Sequence, residues 1–150
     1  MNTPCRLGVL LAVLLVASPL AAAGLGSALS NDGFMIELTS VERKGNVVTV
    51  RWSARNDNPK AKRYDIDLAG AGATSYLVDE ENGTKYYALT DKEGHLLATE
   101  TEYDGIWEEI GPGATMRFWA KFPAPPPAVK TINVLFTKSE PFESIAITEK

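Results

Sequence analysis

Between Asn46 and Arg55 the chain alternates without a break. Val48, Val50, Trp52 and Ala54 occupy one set of positions, and Thr49, Arg51, Ser53 and Arg55 the other. A period of two predicts a strand with one buried and one wet face, because successive side chains of extended backbone leave opposite sides. FMIELTSV, residues 34–41, comes before it across the turn residues Arg43-Lys44-Gly45-Asn46, and the two are expected to form a hairpin.

The strand pattern continues to the end of the chain. NDNPKAK is turn-rich, and YDIDLAG and TSYLVDE follow as shorter strands separated by Gly70 and Gly72. TKYYALTD runs from Asn82-Gly83 to a turn at Lys92-Glu93-Gly94, after which HLLAT resumes. TEYDGIWEEIGPG, residues 101–113, reads as an acidic, irregular connection. ATMRFWAKF and KTINVLFT are expected to pair across PAPPPAV, with PFESIAI as the last strand. No helix is predicted after residue 30, and no repeat or second domain. The expected fold is all-β, an antiparallel β-sandwich of about 7–9 strands over residues 34–150, with a partly open barrel as the alternative.

The amino terminus breaks this pattern. Arg6 precedes the apolar run LGVLLAVLLVASPL, and Pro19 and Ala21-Ala22-Ala23 follow, the layout of a secretory signal peptide cut after Ala23. The alternative is a retained anchor, since residues 7–29 carry no charge. A hydrophobic signal helix over residues 1–23 and a flexible linker over 24–33 are therefore expected before the domain. The expected location is the periplasm or the medium, with no membrane insertion once the signal is removed. Removing residues 1–23 takes away the single cysteine and one of the 15 basic residues, while all 19 acidic residues stay. An exported domain without cysteine has to close its own core without disulfides. Mild acidity offers no footprint for nucleic acid or anionic lipid.

Candidate chemistry is sparse. Asn82-Gly83 within YLVDEENGTKYYAL predicts a type I′ hairpin turn, since both central residues of that turn need positive φ. Asn82-Gly83-Thr84 also fits the glycosylation triplet, and Asp79, Glu81 and Asp91 are a loose calcium grouping. His95 is the only histidine, and no G-x-S-x-G elbow accompanies it. One histidine cannot supply a zinc ligand set, and Gly70-Ala71-Gly72 lacks the residues of a phosphate loop. With 19 acids, carboxylate pairs at hydrolase spacing are inevitable and so discriminate nothing. The expectation is a protein without catalytic residues, metal or cofactor.

Binding has better candidates. In ATMRFWAKF the alternation sets Met116, Phe118, Ala120 and Phe122 on one face and Thr115, Arg117, Trp119 and Lys121 on the other. Trp119 thus stands among cations on the polar face, either covering the sheet through a cation–π contact or serving as a platform for a protein or sugar. The segment from Tyr103 to Glu109 poses the same choice through Tyr103 and Trp107. Trp119, Arg117, Lys121, Tyr103 and Trp107 are the candidate contact residues, with a protein partner expected and a glycan or small ligand as the alternative.

YLVDEENGTKYYALTDKEG, then PGATMRFWAKFPAPP, a short strand at Ile132–Phe136 and PFESIAI together resemble an immunoglobulin-like, telokin-like β-sandwich of bacterial secreted and envelope proteins. The likeness is to the region preceding the peptidoglycan-binding domain in some OmpA-type proteins. It implies an extracytoplasmic sandwich with no catalytic residues to carry over. The sequence stops at Lys150, where an OmpA-type protein would continue, so the resemblance does not imply direct attachment to peptidoglycan. Without the cysteine pair of immunoglobulin sheets, Trp52 is expected to pack against aliphatic side chains.

Overall fold

The computed structural model describes residues 24–99 and 104–150, so the expected signal segment 1–23 with its cut, and the candidate Tyr103, lie outside the described residues. The described chain is all-β. Its strands are β1 (Gly26–Leu29), β2 (Phe34–Lys44), β3 (Val47–Asn56), β4 (Lys62–Asp67), β5 (Tyr76–Asp79), β6 (Thr84–Tyr86), β7 (Gly105–Ile110), β8 (Thr115–Pro123), β9 (Thr131–Leu135), β10 (Phe142–Ala146) and β11 (Thr148–Glu149). No described segment is α-helical, and a single 3-10 turn spans Gly70–Gly72.

Three strands were not expected. β1 lies in the stretch 24–33 read as a flexible linker; it pairs antiparallel with β2 from Gly26↔Leu38 to Leu29↔Met35. β7 lies in the connection read as irregular, and β11 adds to β2 in parallel. These three take the total beyond seven to nine.

The first layer is the sheet β1-β2-β3-β8, antiparallel throughout, with β11 beside β2. Thr39 is a bulge: Leu38 faces Trp52, and the next pair is Ser40 with Arg51. The extra residue shifts the phase of β2, so Phe34, Ile36 and Leu38 are buried before it and Val41 and Arg43 after it. Arg43, read as a turn residue, is consequently a buried cation. Its guanidinium donates to Glu149 Oε1 at 2.8 Å and to the Val129 carbonyl at 3.0 Å, fastening β11 to β2.

The second layer holds the sheet β10-β9-β5-β6 and a separate ribbon, β4-β7. Inward side chains of both layers meet in one core, with Trp52, Phe118, Ile66, Ile106, Leu77, Val134 and Phe142 among its members. Burying each of the larger ones stabilises the fold by roughly 1.5–3 kcal/mol. Trp52 packs on aromatic rings rather than aliphatic chains: Phe136 at 4.6 Å and Phe118 at 5.8 Å between centroids. Its indole N–H donates to the Tyr64 hydroxyl at 3.0 Å, which keeps a buried donor satisfied.

Two pairings differ from expectation. β8 and β9 are not a hairpin; β8 pairs with β3, while β9 pairs with β10 and β5. Both strands have a buried face, and the proline segment carries the chain between the layers so that both faces reach the core. The β5–β6 hairpin exists, but Asp79 pairs with Thr84, which leaves Glu80, Glu81, Asn82 and Gly83 as the loop. Gly83 takes positive φ and Asn82 does not, so the turn is not type I′. The buried Asp79 carboxylate selects it by accepting both the backbone and side-chain N–H of Asn82.

Candidate functional site

The outer face of β8 carries the first candidate. Alternation buries Phe118, Ala120 and Phe122 and sends Thr115, Arg117, Trp119 and Lys121 outward. In register, Arg117 lies beside Ser53, Trp119 beside Arg51 and Lys121 beside Thr49. Residues after Leu89 cover the other edge of β8, where the Thr99 N–H donates to the Trp119 carbonyl at 2.8 Å and the Lys121 N–H to Leu97 at 2.8 Å. Trp119 is therefore held from both sides, yet its side chain stands 37% exposed.

Next to Trp119 on β3 and β8 the charged side chains are cations, while β2 beyond them carries Glu37 and Glu42. The outward side chains of β3 and β8 include Arg51, Arg55, Arg117 and Lys121 and no acid. Arg51 pairs with Glu42 and Arg55 with Asp57, whereas Arg117 and Lys121 have no ion-pair partner among the described residues. Lys121 Nζ is 5.8 Å from the Trp119 ring centroid, at the outer limit of a cation–π contact. A depression of about 230 Å³ opens beside the indole, with Thr39, Arg51 and Arg117 on its rim. Leu25 and Leu29, also exposed, lie on the outer side of this sheet, since Gly26 and Ala28 turn inward. Arg51 could not be singled out by alternation alone, because its place beside Trp119 depends on the β3–β8 register.

The second candidate, Trp107, is on the other layer. It faces Asp65 across the ribbon, is 38% exposed, and has the Arg63 guanidinium 5.0 Å above its ring. Its surroundings are acidic: Asp65, Asp67, Asp104 and Thr137 border a depression of about 270 Å³. Lys138 bridges Asp65 and Asp32 at 2.9 Å each, and these two hydrogen bonds, that to Asp65 first, push its ammonium above the ordinary lysine range. The structure thus groups Arg117, Trp119 and Lys121 on one strand and sets Trp107 apart from them.

The remaining candidates stay separate. His95 is exposed on a turn with Nδ1 3.1 Å from Asp91 Oδ2. Asp91 is held below its ordinary range chiefly by the backbone N–H of His95. Ligand atoms of Asp91, Glu93 and His95 lie within 4.8 Å of one another, but the Asp91 carboxylate is already engaged by backbone N–H groups of Glu93 and His95. The calcium grouping of Asp79, Glu81 and Asp91 is not assembled, because Asp79 is buried and committed to Asn82. Asn82 and Thr84 are exposed at the hairpin tip.

Comparison with known protein families, curated proteins and solved structures returned no match.

Proposed function

We propose that the chain is an exported, non-catalytic module with an immunoglobulin-like sandwich, docking a partner protein on the outer face of β3 and β8 in the bacterial envelope or outside the cell. The observation that carries this reading is Trp119. A large aromatic side chain stands more than a third exposed on β8, between two cations that have no ion-pair partner among the described residues. An indole flanked by arginine and lysine is the composition of a binding hot spot, where the ring supplies buried area and the cations supply orientation and encounter rate. Acidic partner surfaces fit it. Export is supported by the pattern of residues 1–23 and by the absence of cysteine from the rest of the sequence.

Affinity capture from a native envelope with the tagged full-length chain tests the reading. The wild type should retain a partner, and Trp119→Ala should lose it at a nearly unchanged melting temperature. Equal capture by both would remove Trp119 from the contact. Amino-terminal sequencing of the recovered chain should begin at Gly24; recovery of an intact Met1 end from the membrane fraction would contradict export by cleavage.

A further inference from the structure

The same chain carries a complement to the Trp119 face. On the ribbon, Asp65, Asp67 and Glu109 point outward beside Trp107, and Asp104 stands at the entry to β7. Arg63 lies over the indole and Lys138 pairs with Asp65, which leaves Asp67, Asp104 and Glu109 without an ion-pair partner among the described residues. One face therefore offers an indole flanked by Arg117 and Lys121, and the other an indole near Asp67, Asp104 and Glu109, each with a shallow depression of similar size beside its ring. Both indoles are exposed to nearly the same degree.

We infer that the Trp119 face of one copy docks on the Trp107 face of a second copy. The inference rests on the reading of the Trp119 face as a docking surface and names its occupant. Arg117 and Lys121 would meet Asp67, Asp104 and Glu109, and each indole would enter the depression beside the other. Opposite charges also reject the alternatives: two Trp119 faces, or two Trp107 faces, would bring like charges together.

The two faces belong to opposite layers of the sandwich. The contact is accordingly heterologous, joining different surfaces of the two copies, and it leaves one face of each kind free at the ends. Repetition of such a contact builds an open, head-to-tail assembly rather than a closed pair. Association through charged rims weakens with salt, since the screening length falls to about 3 Å at 1 M.

Light scattering coupled to size exclusion, on the full chain as exported, tests the pairing with two face variants. One is Arg117→Glu with Lys121→Glu; the other is Asp104→Lys with Glu109→Lys. All four residues are surface positions, and matched unfolding midpoints establish that both variants fold. The wild type should grow beyond a dimer as concentration rises at low salt and return to monomer at high salt. Each variant alone should be at least about tenfold weaker in association. An equimolar mixture should associate again, through the intact face of each variant and through the reversed pair of glutamates and lysines.

A wild type that stays monomeric throughout, or assembly that survives in either variant, would overturn the pairing. If the wild type stays monomeric, capture of an envelope protein that Trp119→Ala abolishes would leave the docking reading standing with a different occupant. A monomer whose tryptophan fluorescence responds to an acidic polysaccharide would overturn the pairing and make the occupant a glycan.

Discussion

Trp119 and Trp107 are alike in exposure and in having a cation near the ring, but the scaffolds beneath them differ. Trp119 sits on a strand paired on both edges, with β3 on one side and residues 97–99 on the other. Trp107 sits on a two-stranded ribbon, an arrangement that is marginal by itself. The ribbon is held to the rest by side chains: the Asn56 amide donates to the Ile110 carbonyl at 2.7 Å, and Lys138 reaches Asp65. An exposed indole on a self-sufficient sheet is free to serve contact. One on a dependent ribbon also serves folding through its hold on Arg63. Losing Trp119 should therefore be felt in association, and losing Trp107 in both association and stability.

The largest predicted effect separates the regions outright. A Cβ on Gly105 would lie 2.0 Å from the Ile66 carbonyl oxygen, inside backbone that cannot yield. Gly105→Ala should cost about 3 kcal/mol in denaturant unfolding and expose Trp107, while the Trp119 face keeps its shape. Tyr64→Phe strikes where the layers meet; it leaves the buried Trp52 N–H without its acceptor and should cost about 2 kcal/mol, read the same way. Smaller again is the direct contrast. Trp107→Ala should cost about 1 kcal/mol and Trp119→Ala about half that, by the measure of exposed cross-strand and cation–π contacts. Reversal of that order in unfolding experiments would break the comparison.

The smallest effect is on pH, and the two faces should respond at opposite ends of the scale. On the first sheet Glu42 is held below its ordinary value by hydrogen bonds from Lys150 and then Arg51. Its contribution is complete above the unfolded carboxyl value and is lost as pH falls through the lower folded one. Lys138 is raised by Asp65 and Asp32, so its contribution is complete below the unfolded lysine value and is lost as pH rises through the higher folded one. Solvent screening keeps each below about 1 kcal/mol. Glu42→Gln should flatten the acid limb of the stability profile only, and Lys138→Met the alkaline limb only.

The strand character of the chain was legible because β3 and β8 alternate cleanly, and the same alternation placed Trp119 outward among cations. The pairing partners were not. A repeat of two says which side of a strand is wet but not which strand lies beside it, so β8 and β9 were matched with each other when each feeds a different layer. β7 was hidden because Ile106-Trp107-Glu108-Glu109-Ile110 puts a large apolar residue on its wet side and an acid on its inner side. The phase change at Thr39 buries Arg43, which no alternation from Phe34 could announce. At the β5–β6 turn, Asn82-Gly83 announced the hairpin, while the shape of the loop was set by Asp79, three residues upstream and buried.

The indole N–H signals of the three tryptophans, followed by NMR as the full chain is concentrated from about 10 µM to about 1 mM at low salt, test the central claim most directly. The signals of Trp119 and Trp107 should shift together and return on adding salt, while that of Trp52, bonded to Tyr64 inside the core, stays fixed. An unmoved Trp119 signal across the series would contradict the docking of one copy on another through this face.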